Sequence, residues 1–390
     1  MYSEHFLLEL AIILLFTKIL GLATKRFKMP QVVGALLAGV VLGPAGLNFL
    51  RETDFLNKIA DLGVIILMFS AGIETDIASL KRTWRKSLVI ALMGICVPLL
   101  FGMAVGTWFY PERDFLQHVF IGIILTATSV SITVETLKEM GKISTKAGNA
   151  ILGAALIDDI LGIVGLTIVT SMAGSEVSIP IVLGKIIGFF MFAGVVGFFV
   201  KKMFAKWVNH YQEDLRRFVI ISFVICLLLS FVAEAYFGVA EITGAFIAGL
   251  IIANTEHTHY IEARFSTLSY ILLSPIFFAS IGLQVELPEM NATVIVFTLV
   301  LIITAIISKI FGCGLAARFC GYTNQESLQI GTGMVSRGEV ALIMVAQGVP
   351  LGLMTTDLFA PVIIMVIVTT IVSPILLKLA FEREVETATV

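Results

Sequence analysis

Apolar residues gather into long runs separated by short polar connections. The runs lie near 5–24, 30–50, 56–74, 87–110, 116–137, 147–172 and 178–201, then near 216–236, 240–256, 266–286, 291–318, 325–350 and 356–380. A helix needs about 20 mostly apolar residues to cross a bilayer. The pattern therefore predicts an all-α polytopic membrane protein with thirteen transmembrane helices, the ninth run being short and the twelfth carrying Arg337 and Glu339.

Composition agrees with lipid as the solvent. Hydrophobic residues make up 58% of the 390 and charged residues 14%, against about 25% charged in soluble proteins. A soluble fold of this size would need a more charged exterior, and a chain this apolar does not stay disordered. The net charge of −2 offers no basic footprint for nucleic acid. Cys96, Cys226, Cys313 and Cys320 lack close metal-ligand spacing and read as small buried hydrophobes. Glu4, His5 and Glu9 stand where a signal peptide carries positive charge, so the first run reads as a retained helix.

The charges between the runs set an orientation, because cytoplasmic loops collect Lys and Arg. Nineteen of the 26 basic residues fall in the odd-numbered connections and the C-terminal tail, and three, Arg51, Lys58 and Arg113, on the other side. Lys18, Lys185, Lys309 and Arg337 remain inside runs. The N-terminus is expected outside the cell membrane and the C-terminus in the cytoplasm. The charged connection near 201–217 reads as a linker between two halves.

Those halves echo each other. Gly34-Ala35-Leu36-Leu37-Ala38-Gly39 reappears as Gly244-Ala245-Phe246-Ile247-Ala248-Gly249, an offset of 210. At the same offset Phe69-Ser70-Ala71-Gly72-Ile73-Glu74 has a weaker echo in Ala279-Ser280-Ile281-Gly282-Leu283-Gln284. The partners are seven helices apart, an odd number, so the copies face opposite ways through the membrane. Inverted repeats of this kind mark secondary transporters, whose sites lie near the midplane on discontinuous helices. The fifth run holds Thr126-Ala127-Thr128-Ser129-Val130-Ser131, rich in hydroxyls. Its counterpart, the twelfth, holds Gly331-Thr332-Gly333-Met334-Val335-Ser336-Arg337-Gly338-Glu339. Both are expected to be unwound where protein or a wet cavity covers the backbone.

An ionisable residue at mid-bilayer costs about 2.5–3.5 kcal/mol on insertion scales and demands a role. Asp158 and Asp159 are adjacent within an apolar stretch of the sixth run, and their side chains project about 100° apart on a helix. Lys309 lies deep in the eleventh run, as a counter-ion for one aspartate, either static or broken during transport. Arg337 and Glu339 read mainly as braces of the unwound segment, with gating as the alternative. Carboxylates with hydroxyl and carbonyl oxygens suit a hard cation such as sodium. Buried carboxylates also bind protons. A site that holds one or the other, but not both, is the core of an exchanger. Glu74 and Asp76 stand at a cytoplasmic helix end, either as a funnel that attracts cations or as a solvated terminus. His257 and His259 lie in a cytoplasmic loop where histidine titrates near neutrality.

Together Ala127-Thr128-Ser129-Val130 with Ile132-Thr133, the helix around Ile157-Asp158-Asp159-Ile160-Leu161-Gly162, Lys309, and Met334-Val335-Ser336-Arg337-Gly338-Glu339-Val340 resemble the sodium/proton antiporters of the cation/proton antiporter superfamily, NapA-type members above all. The resemblance covers essentially the whole chain. It implies an NhaA/NapA-like fold with crossed discontinuous fifth and twelfth helices. It also implies a homodimer with dimerisation segments 1–86 and 216–288, core segments 87–175 and 289–390, and a linker over 176–215. The core would move like an elevator. Asp159 would be the principal Na+ or Li+ and proton ligand, Asp158 nearby would be the partner of Lys309, and Thr128 and Ser129 would lie at the crossing. The Asp-Asp pair with lysine is the pattern of electrogenic members. No cofactor is implied; the partners are the transported ions and the lipid bilayer.

Three other readings compete. A potassium exchanger of the efflux or spore-germination type shares the superfamily, but the ligand-gated efflux members carry a large nucleotide-binding domain and Gln-Asp. An intramembrane aspartyl protease needs carboxylates on facing helices sharing a proton, whereas these are adjacent on one helix. A passive cation channel would carry current with no counter-ion requirement.

Overall fold

The computed structural model describes residues 5–26, 29–75, 77–173, 179–208, 215–253, 258–284, 292–348, 351–354 and 358–388. Among these the regular structure is entirely helical. In chain order the helices are α1 (His5–Arg26), α2 (Gln31–Leu42), α3 (Asp54–Glu74), α4 (Ile77–Phe109), α5 (Phe115–Thr126), α6 (Val130–Glu139), α7 (Lys146–Met172) and α8 (Ile179–Val208). Then come α9 (Leu215–Phe237), α10 (Glu241–Ile252), α11 (Thr258–Leu268), α12 (Ser274–Leu283), α13 (Ala292–Phe319), α14 (Asn324–Gly333), α15 (Glu339–Gly348) and α16 (Phe359–Ala388). Each of the thirteen apolar runs is occupied by helix, and the fifth and twelfth are broken as expected, into α5 and α6 and into α14 and α15.

Two features depart from thirteen simple spans. Ten helical stretches among the described residues are long and apolar enough to cross a membrane, but α2 and α10 have 12 residues each. At 1.5 Å per residue each covers only about 18 Å of a core about 30 Å thick. After α2 the chain turns at Gly43-Pro44 and folds back, with Leu47 N bonded to Val41 O at 2.7 Å and Phe49 N and Leu50 N to Leu42 O at 2.9 Å. The apolar residues at 43–50 are therefore real, but they are not helix. In addition, the tenth run is two helices joined by a π-helical turn, Ser269–Leu273. Pro275 has no N–H to give the carbonyl four residues back, so the ladder shifts register there.

Helices α4, α5, α7, α13, α14 and α16 pack on one another, and α1, α2, α3, α9, α10 and α12 form a second set. Helix α8 touches α7 on one side and α9 and α10 on the other, while α6 packs against α7 and α16 and also against α2 and α3. The second set is built on the repeated glycines. A Cβ on Gly39 would stand 2.8 Å from Gly282 Cα, and one on Gly72 would stand 3.0 Å from Gly249 Cα. Adding 210 to 39 and 72 gives 249 and 282, so the two contacts are images of each other under the inverted repeat. Gly63 meets Leu273 O, its own counterpart at that offset. Apolar helices in lipid gain little from hydrophobicity toward each other and associate through close backbone approach at small residues.

Candidate functional site

The site begins where two helices stop. Helix α5 ends at Thr126, and Ala127 and Ser129 are extended (ψ 141° and 103°) before α6 resumes at Val130. Helix α14 ends at Gly333 and α15 starts at Glu339. Each break frees backbone groups that lipid cannot satisfy, and the two breaks satisfy each other. Ser129 N donates to Ser336 O at 2.8 Å and the Ser336 hydroxyl donates to Ser129 O at 2.8 Å. Thr133 donates to Gly333 O at 2.8 Å and its hydroxyl lies 2.8 Å from that of Ser336.

Arg337 closes the junction. Its side chain is fully buried, and its guanidinium donates to Val335 O at 2.7 Å, Leu125 O at 2.8 Å and Ala305 O at 2.8 Å. Leu125 O belongs to the carbonyl end of α5, where the helix dipole is negative, so a fixed cation there is electrostatically suited. The Thr370 hydroxyl bonds Arg337 O and ties α16 to the same point. These bonds join the segment after α14 to α5 and α13. The side chain of Glu339 lies outside the described residues.

Beside this junction α7 presents its paired aspartates. Lys309 Nζ, on α13, lies 3.2 and 3.1 Å from the two oxygens of Asp158, with both side chains buried. Arg337 is near enough to act on the same carboxyl, and the Thr128 side chain is buried. Asp159, next on the helix, is also buried, at 7% exposure. Lys309 therefore closes on Asp158.

Gly94 was not singled out in the sequence. It lets α4 approach the pair, since a Cβ there would stand 3.7 Å from both Asp158 Oδ1 and Lys309 Nζ and 2.7 Å from Cys313 Sγ. Its signal, one glycine in an apolar run, is indistinguishable from background.

At the end of the molecule bearing the Lys/Arg-rich connections, a cavity of about 490 Å³ opens between α1, α2, α6 and the tenth run, lined by Lys18, Gln31, Glu135, Lys138, Glu139 and Tyr270 among others. Glu74 pairs with Lys138 at 2.7 Å. Asp76 and His257 lie outside the described residues. His259 is fully exposed, 3.7 Å from Glu262.

Residues 11–383 match the family described as "Sodium/hydrogen exchanger, transmembrane". The chain is 37% identical to the Na(+)/H(+)-K(+) antiporter GerN of Bacillus cereus over 97% of its length and 96% of the relative. It is 35% identical to a Na(+)/H(+) antiporter of Enterococcus hirae, covering 95% of this chain and 96% of that one. Its fold is similar to that of the sodium proton antiporter MjNhaP1 from Methanocaldococcus jannaschii, with a TM-score of 0.70 at 19% identity, over 96% of this chain and 97% of that one.

Proposed function

Because the chain belongs to the sodium/hydrogen exchanger family, a family of transporters, we propose that it is a secondary antiporter exchanging Na+ or Li+ for H+ across the cell membrane. The observation that carries this reading is the buried Asp158–Lys309 pair beside Asp159, where two interrupted helices meet. Asp159 is the principal ligand, and cation and proton compete for it. An entering Na+ displaces the Asp159 proton. When Asp158 turns from Lys309 to the ion, the ammonium releases a second proton. More than one H+ then leaves per Na+, and net charge moves in each cycle.

The core segments 87–175 and 289–390 carry the site past the dimerisation segments 1–86 and 216–288, with 176–215 joining them. Two copies pair through the latter. The N-terminus faces out and the C-terminus the cytoplasm, following the distribution of Lys and Arg.

Purified protein in liposomes, titrated with Li+, Na+ and K+ at several pH values, tests this reading. Na+ or Li+ should drive counter-movement of protons that responds to membrane potential. Proton flux with no cation requirement would overturn antiport. A K+ response equal to or above that for Na+ would favour the second reading, a Na+(K+)/H+ exchanger, which the name of the Bacillus cereus relative supports.

A further inference from the structure

Helix α2 starts at Gln31 behind Pro30, whose side chain makes no cap. A helix start presents unpaired N–H groups and a partial positive charge. Here the acceptor comes from 108 residues away. Glu139 receives the Gln31 N–H on both carboxylate oxygens, at 2.7 and 2.8 Å, and the Val32 N–H at 3.4 Å. Glu139 is the last residue of α6, and the residue before it, Lys138, pairs with Glu74 at the end of α3. Helices α2 and α3 belong to one packed set. Helix α6 begins at the break that holds Thr128 and Ser129. Two successive residues therefore fasten the half-helix leading away from the ion site to two helices of the opposite set.

The fastening is one-sided. Under the inverted repeat the counterpart of α6 is α15, and the stretch from Met344 to Gly352 around its end contains no charged residue. The N-cap of α10, the counterpart of Pro30, is Ala240. At the same offset the counterparts of Lys138 and Glu139 are Gly348 and Val349, so no carboxylate stands at the matching position. A contact available in only one arrangement stabilises that arrangement and must be broken to leave it.

Resting on the antiporter reading above, we propose that Glu139, seconded by the Lys138–Glu74 pair, is a positioning residue of the exchange cycle: a latch that docks α6 on α2 in one facing of the protein and releases in every turnover. It acts through the position of α6 and does not touch the transported ions.

The test uses full-length protein in liposomes carrying Gln31→Cys with Glu139→Cys, bridged by a short bifunctional methanethiosulfonate. The two single variants control for the native cysteines. Bridging should stop Na+-dependent proton movement and reductant should restore it. Separately, Glu139→Ala should retain exchange but change the ratio of apparent Na+ KM values measured from the two sides by about five-fold, the worth of one helix cap. Glu139→Gln, which keeps an acceptor oxygen, should change it less. A bridged protein that exchanges at the unbridged rate, or a Glu139→Ala ratio equal to wild type, overturns the latch while leaving antiport standing. Absence of exchange in the wild-type protein overturns both.

Discussion

Replacing Lys309 with Met tests whether the deepest ion pair is held by mutual charge. The replacement keeps most of the side-chain volume and removes the ammonium that lies 3.1 Å from Asp158. With an effective dielectric of about 20, two unit charges at that distance attract by about 5 kcal/mol. Arg337 also acts on Asp158, and an abandoned carboxylate can take up a proton, so part of that loss is recovered. Stranding one member of a buried pair costs about 3–5 kcal/mol, whereas replacing both members is often close to neutral. Lys309→Met is therefore expected to lower the melting temperature in detergent clearly, and Lys309→Met with Asp158→Asn to recover most of the loss. Fluorescence-monitored thermal unfolding of wild type, both single variants and the double variant closes the cycle. Strictly additive shifts, or a Lys309→Met variant as stable as wild type, would refute the pairing as the source of stability.

Asp159→Asn should abolish cation-dependent proton movement in liposomes while leaving the Lys309–Asp158 pair in place. Ser336→Ala and Thr133→Val should each destabilise by about 1–2 kcal/mol through lost buried hydrogen bonds. Their combination should fall short of the sum, because the two hydroxyls are in contact, 2.8 Å apart, in one junction; chemical unfolding in detergent measures both. Gly39→Val and Gly72→Val should each cost about 1–3 kcal/mol or more by forcing apart backbones already in contact. Gly184→Val, where nothing lies within 4 Å of the new Cβ, should be tolerated, and size-exclusion profiles separate the cases.

The breaks at 127–129 and 334–338 were legible because hydroxyls and glycines interrupt otherwise apolar runs, and the lipid solvent leaves few places for such interruptions. The glycine repeat was legible too, and its meaning is physical: close approach at Gly39 and Gly72 requires the missing side chain at both ends of each contact. The shortness of α2 and α10 was not. Hydropathy records where apolar side chains are, not whether the backbone between them is helical, and the chain beyond Gly43 folds back while remaining apolar. The spacing of Asp158 and Asp159 left open which of them meets Lys309, because that depends on the rotation of α7 about its axis, set by packing along its whole length. The resemblance to known antiporters, not the spacing, implied Asp158. Nor could the cap on α2 be read locally, since Pro30 shows only that the helix lacks its own.

The buried charges then bear on how coupling is kept tight. Asp158, Asp159, Lys309 and Arg337 are all buried, and their formal charges sum to zero, which by itself would let an empty site cross the apolar layer at little cost. Their partners change that conclusion. Lys309 neutralises Asp158, but Arg337 directs its donors to three backbone carbonyls, including one at the negative end of α5. The guanidinium compensates helix ends while also acting at longer range on Asp158. On the proposed function an ionised Asp159 adds a negative charge outside the Asp158–Lys309 pair, and a charge in the apolar layer costs about 2.5–3.5 kcal/mol. A proton or a monovalent cation on Asp159 removes that charge, and an empty site does not. On the proposed function, the same carboxylate that selects the cargo also penalises the empty return, so competition at one residue supplies exchange without a separate gate against leak.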